Sequence, residues 1–192
     1  MWVFGERLTE QMVENGVIDK KDRELYVFGI QTMAILLLNI FTALFIGCMF
    51  HMFVPAVVYL IAFAVIRTYA GGYHAGNYVS CYVLSCLILC VIFFILQSQT
   101  SWLMPVTLFL LCTAILVIWM KAPLADDNRP LNEEQTRKAR IKTRKILVGE
   151  IVAGCVLFFV QPVWGYAVFY GIISCGVSFL AYVIKRVKRE II

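Results

Sequence analysis

Short polar breaks divide this sequence into apolar runs, and those runs limit the fold more than any other feature. The segments at approximately 28–48, 52–67, 79–97, 102–120, 146–162 and 164–184 carry almost no charge. An apolar stretch of about 18 residues or more can cross a bilayer as a helix. A helix suits lipid because it satisfies its backbone hydrogen bonds within one segment. The second and fifth runs are the shortest, and each contains or abuts a proline, Pro55 and Pro162. Only 15% of the 192 residues are charged, against roughly a quarter in a soluble domain, and the mean hydropathy is +0.83. The expectation is an all-α integral membrane protein, one polytopic domain over residues 1–192 with six transmembrane helices.

Charge placement sets the expected orientation. The turns at 47–52, 97–102 and 160–165 contain no Lys or Arg. The basic residues lie before the first run, at Arg67, within 121–145 and after 184. These are alternate sides of a six-span bundle. The positive-inside rule then places both termini, the 67–78 loop and the 121–145 loop in the cytoplasm, at the inner face of a cell membrane.

The leader, residues 1–27, lacks the basic start and apolar core of a cleavable signal. Phe4, Leu8 and Met12 recur every four residues with charges between them, the pattern of a short amphipathic helix on the membrane surface; an ordinary cytoplasmic leader fits as well. Asn15-Gly16 ends it, and Asp19 is placed to cap a helix running into the first span. The seven cysteines include no Cys-x-x-Cys pair, and six of them (Cys48, Cys86, Cys90, Cys112, Cys155, Cys175) fall in or beside apolar runs. They read as small packing residues between helices. No metal site and no cofactor are expected, and nothing points to nucleic acid. His51 reads as interfacial, and Asp126 and Asp127 as solvated loop residues.

The stretch "IRTYAGGYHAGNYVSC", residues 66–81, differs from everything around it. His74 and Cys81 are seven residues apart. On one straight helix they would stand about 10 Å apart along the axis, too far for a base to reach a nucleophile. Gly71, Gly72 and Gly76 permit the backbone to break between them. With Asn77 as N-cap, Cys81 would sit in the first turns of the third span, where backbone amides and the helix dipole favour a thiolate. The plain alternative is an interfacial histidine and one more packing cysteine. Position favours the first reading, because glycine-rich backbone at membrane depth must be buried in protein or line a wet cavity. Arg67 either snorkels to the headgroups or points into that cavity to hold a carboxylate or a developing oxyanion. Asn77, Ser80 and Glu150 are candidates for a third group that orients His74.

The polar segment 121–145 holds Pro123 and Pro130 around a turn. Asn132 followed by Gln135 has the form of a capping box, so a helix is expected to start near Glu133 and run into the fifth span. Arg137, Lys138, Arg140, Lys142, Arg144 and Lys145 crowd its start. They serve topology and attraction to anionic lipid, a dock for an acidic peptide, or both.

Arg67, Ala70, Gly72, His74-Ala75 and Cys81, with Ala122-Pro123, Arg129-Pro130 and the basic run that follows, resemble the signature of the accessory gene regulator B (AgrB) family. The resemblance covers essentially the whole chain. It implies a membrane-embedded cysteine endopeptidase that cleaves a short precursor peptide and cyclises it to a quorum-sensing thiolactone or lactone. It further implies Cys81 as nucleophile, His74 as general base, Arg67 and Gly72 as positions important for activity or site shape, and a homodimer. The implied partners are the precursor peptide and membrane lipids. A peptide or small-solute transporter without covalent chemistry is the alternative.

Overall fold

The computed structural model describes residues 2–71, 78–98, 103–124 and 132–191, with side chains for 5–71, 82–98, 103–124 and 132–182. Among these residues all regular secondary structure is helical. The helices are α1 (Trp2–Glu14), α2 (Arg23–Met49), α3 (Phe53–Ala70), α4 (Tyr78–Ser98), α5 (Leu103–Lys121), α6 (Glu133–Val160) and α7 (Pro162–Ile191), with a short 3-10 turn at Lys20–Asp22. Helices α2 to α7 overlie the six expected runs. Four helical stretches, Lys20–Met49, Phe53–Ala70, Leu103–Lys121 and Pro162–Tyr182, are long and apolar enough to cross a membrane. The apolar stretch Tyr82–Ser98 of α4 is shorter. The exposed surface is that of a membrane protein: Phe159 is 89% exposed, Phe109 71% and Phe41 70%, costly in water and natural in lipid.

The helix ends follow local chemistry. Helix α1 stops at Asn15-Gly16, where Gly16 has φ +69. Asp19 is extended and stands before the 3-10 turn, but its side chain makes no capping bond; it pairs with Lys21 at 3.2 Å. The capping box at the start of α6 is present, with the Asn132 N–H donating to Gln135 Oε1 at 3.2 Å. Helix α6 then continues without interruption to Val160, because no proline falls between 133 and 160. Gln161 is extended, and Pro162 opens α7 at a position where its missing N–H costs nothing.

Helix α1 lies antiparallel on α2. Arg23 donates to Glu10 at 2.9 Å, and Gly5 approaches Gln31. Gly5 and Thr9 are buried while Leu8 is 37% exposed. The face toward α2 is thus the one with small residues, which let the two backbones approach.

Helix α7 is the hub, packed against α3, α5 and α6. Between helices in lipid no hydrophobic force drives association, so close van der Waals contact and hydrogen bonds do. A Cβ on Gly171 would lie 3.0 Å from Ala62 Cβ on α3, and one on Gly176 2.6 Å from Ala114 Cβ on α5. Thr107 and Tyr170 share a buried hydrogen bond of 2.9 Å between α5 and α7. Helix α4 is tied to α2 by Thr42 and Tyr82 at 2.8 Å.

Candidate active site

The bundle has two distinct ends. At one, the turn after α2 and the turn before α7 line a shared cavity of about 380 Å³, with His51, Pro55, Gln161 and Trp164 on its wall. At the other, the last turn of α3, the last turn of α5 and the basic start of α6 meet. Of the residues singled out in the sequence, Arg67, Gly71 and the basic residues of α6 belong to this second end.

Helix α3 presents Tyr59, Phe63 and Arg67 four residues apart, so they form one stripe. The Tyr59 and Phe63 rings stack at 6.0 Å, and the Arg67 guanidinium lies 5.4 Å from the Phe63 ring centre. Helix α7 meets this stripe with Ser174 and Ser178, also four apart. Tyr59 donates to Ser174 Oγ at 3.0 Å. Ser178 donates to the Ser174 carbonyl at 3.1 Å, which leaves its oxygen free to accept from Arg67 at 3.3 Å. Arg67 is therefore half-buried against α7, turned toward the bundle interior. Neither serine was singled out in the sequence; the one available signal was a pair of hydroxyls at i,i+4 in an otherwise apolar run. Helix α6, packed against both α3 and α7, brings the carboxyl group of Glu150. Its two carboxylate oxygens are buried and lack a hydrogen-bond partner among the described residues.

Helix α3 ends where the glycines begin. Gly71 has φ 75 and ψ −166, a region essentially restricted to glycine, and its N–H donates to the Arg67 carbonyl at 3.0 Å. Gly72, His74, Gly76 and Asn77 lie outside the described residues. Cys81 falls in the first described turn of α4, and its side chain, with that of Ser80, is likewise outside the description. Asp126, Asp127, Arg129 and Pro130 also lie outside it.

The basic residues of α6 divide by partner. Arg144 donates to the Trp119 carbonyl at 3.3 Å and lies 4.6 Å from the Trp119 ring centre. Arg140 donates to the Ala122 carbonyl at 3.3 Å. Both therefore bind carbonyls at the end of α5, where cationic side chains are favourable. Lys142 stands over the Tyr69 ring at 4.8 Å. Lys138 pairs with Glu134 at 2.7 Å. Arg137 and Lys145 are exposed.

Comparison with known proteins identifies the family. The family profile described as Accessory gene regulator B matches residues 5–184. The chain belongs to the accessory gene regulator B family. Two curated relatives of this AgrB-family chain come from Clostridium perfringens. A "Putative AgrB-like protein 2" from strain 13 is 23% identical over 126 residues, 62% of this chain and 59% of the relative. A "Putative AgrB-like protein" from strain SM101 is 22% identical over the same length and shares. The match thus spans about three-fifths of each relative's length. No solved structure matches the chain.

Proposed function

We propose that this AgrB-family chain is a membrane-embedded cysteine endopeptidase that cleaves a short precursor peptide and cyclises it to a quorum-sensing peptide. Family membership across residues 5–184 supports a part in quorum-sensing peptide processing. The observation that carries the finer reading is the fit of His74 and Cys81 to the family signature, in the stretch of sequence that follows an Arg67 turned inward. In this reading α2 to α7 form six spans, both termini and the active site face the cytoplasm, and the enzyme works as a homodimer.

The chemistry runs in two transfers. His74 takes the proton from Cys81 Sγ, and the thiolate attacks a precursor carbonyl. The carbon–nitrogen bond breaks, and the protonated His74 returns the proton to the departing amine. An acyl thioester on Cys81 remains. A thiol or hydroxyl within the peptide then attacks that thioester, giving its proton to His74. The ring closes, and Cys81 leaves as thiolate and recovers the proton. Exchange of one thioester for another is near neutral, whereas opening an amide to a thioester is uphill, so removal of products draws the sequence forward. Water competes with the internal nucleophile, and a site at the membrane edge that excludes it suits the second step. Arg67 orients the substrate or stabilises the oxyanion. Arg137, Lys138, Arg140, Lys142, Arg144 and Lys145 present positive charge to the precursor's acidic part, with Arg137 and Lys145 the most available.

Glu150 favours a second reading, a solute transporter. An intramembrane carboxylate with no described partner marks ion and proton paths in many bundles. Co-expression with a tagged precursor separates the two. In the peptidase reading C81A and H74A each abolish cleavage and C86A does not. Cleavage that survives C81A or H74A leaves the transporter.

A further inference from the structure

We infer that the chain leaving α5, Ala122–Leu124, clamps the end of α3 by backbone contacts and so fixes how the chain leaves Gly71 toward His74, with Arg140 holding the clamp from α6. The inference rests on the peptidase reading above. It concerns which residues make that site competent.

Helix α3 leaves its last carbonyls without intrahelical donors, as every helix does. One of them, Ala70 O, receives the Leu124 N–H at 3.0 Å. The next residue, Gly71, sits directly under the same segment. A Cβ there would meet the Leu124 carbonyl oxygen at 2.5 Å, so the clamp and any side chain at 71 exclude each other. Ala70 and Ala122 are 0% and 2% exposed, and the contact is therefore shielded from water. The clamp is anchored at its other side. The Ala122 N–H closes onto Ile118 O at 2.9 Å, its carbonyl accepts from Arg140, and Arg144 grips the preceding turn at Trp119. Arg140 and Arg144 are one turn apart on α6, so one helix face holds the end of α5 against the end of α3. His74 follows Gly71 by three residues. Gly71's direction thus sets the direction in which the chain departs toward His74. Gly71 takes this backbone shape without steric cost, where a residue with a Cβ would not, and the Leu124 carbonyl leaves no room for that Cβ. Leu124, Arg140 and Gly71 are positioning residues, acting on His74 through the chain.

The test uses full-length protein whose one cysteine is Cys81, in membranes, with a tagged precursor peptide. Leu124→Pro removes the N–H donor; Leu124→Ala keeps it. Gly71→Ala intrudes on the clamp from the other side. Kinetics give kcat and KM, and the pH profile of Cys81 alkylation reads its pairing with His74. L124P and G71A are expected to lower kcat at least tenfold with KM within twofold, and to move the alkylation midpoint up toward that of a free thiol. L124A should keep at least a third of wild-type kcat with the wild-type profile. R140A, an exposed side chain that need not disturb folding, should lower kcat about threefold to tenfold and move the profile the same way, with partial rescue in R140K. The inference is overturned by wild-type kcat and profile in L124P and G71A, by equal losses in L124P and L124A, or by losses confined to KM. If L124P and G71A fail to accumulate, R140A with a wild-type profile and rate overturns it alone. C81A and H74A run alongside. Cleavage in these would remove the peptidase reading, whereas their inactivity beside fully active L124P and G71A would remove the clamp only.

Discussion

Ser178→Ala tests whether Arg67 works from the position in which α7 holds it. Ser178 accepts from Arg67 at 3.3 Å, and its own proton goes to the Ser174 carbonyl. A hydrogen bond to a charged group contributes about 1.5–3 kcal/mol at good geometry, but 3.3 Å is beyond the usual range, and about 1 kcal/mol is the fair figure here. That is about a fivefold change, since 1.4 kcal/mol is tenfold. If Arg67 stabilises the oxyanion, removing it outright should cost on the order of 10²–10³ in kcat. The expectation for precursor cleavage is therefore about fivefold lower kcat/KM in S178A, a loss of 10²–10³ in R67A, and little further loss when S178A is added to R67A. The cycle isolates the pairwise coupling. A fivefold loss from S178A in the R67A background would refute the reasoning. Ser178 would then act through α7 packing, with Arg67 not its target.

Further outcomes follow from the packing and the charges. Gly176→Leu places a Cβ 2.6 Å from Ala114 Cβ and 2.8 Å from Ala114 Cα, so it should destabilise the α5–α7 contact by about 1–3 kcal/mol; the unfolding midpoint in detergent should fall well below that of Gly149→Leu, a site with open space around it, and equal midpoints would contradict the account. Arg144→Ala loses the Trp119 carbonyl bond and ring contact, about 0.5–1 kcal/mol for the ring contact alone; the same detergent assay should rank it below Lys145→Ala, and Arg144→Lys should recover part of the loss because Lys keeps charge without the planar fork. For orientation, a cysteine-free chain carrying Gln161→Cys should react with an impermeant maleimide on intact cells, whereas Lys138→Cys should react only after permeabilisation; the reverse pattern would invert the topology.

What the sequence made legible depended on whether a feature acts through side-chain type. The six long helices were readable because apolar runs and their breaks are properties of composition. The start of α6 was readable because Asn132 and Gln135 belong to the few residue types whose side chains can form a capping box at that spacing. The role of α7 was not readable. Gly171, Ser174 and Gly176 would look the same facing lipid or facing helices, and only assembly shows that α3 and α5 approach them. The basic residues of α6 read as one exposed run, yet Arg140 and Arg144 bind carbonyls at the end of α5, a partner with no side-chain signature. Leu124 is the extreme case, since its contribution is a backbone N–H common to nearly every residue type. On α1 the sequence shows an apolar stripe, Phe4, Leu8 and Met12, while the face that docks on α2 is marked by the small residues Gly5 and Thr9.

The most direct test of the peptidase account is intact-protein mass spectrometry of the wild-type chain quenched in acid during turnover of its precursor. The account predicts a covalent adduct with the mass of the precursor's N-terminal fragment, located on the peptide containing Cys81, lost on treatment with hydroxylamine and absent in H74A. Continued processing with no adduct on Cys81, together with undiminished cleavage in C81A, would contradict it.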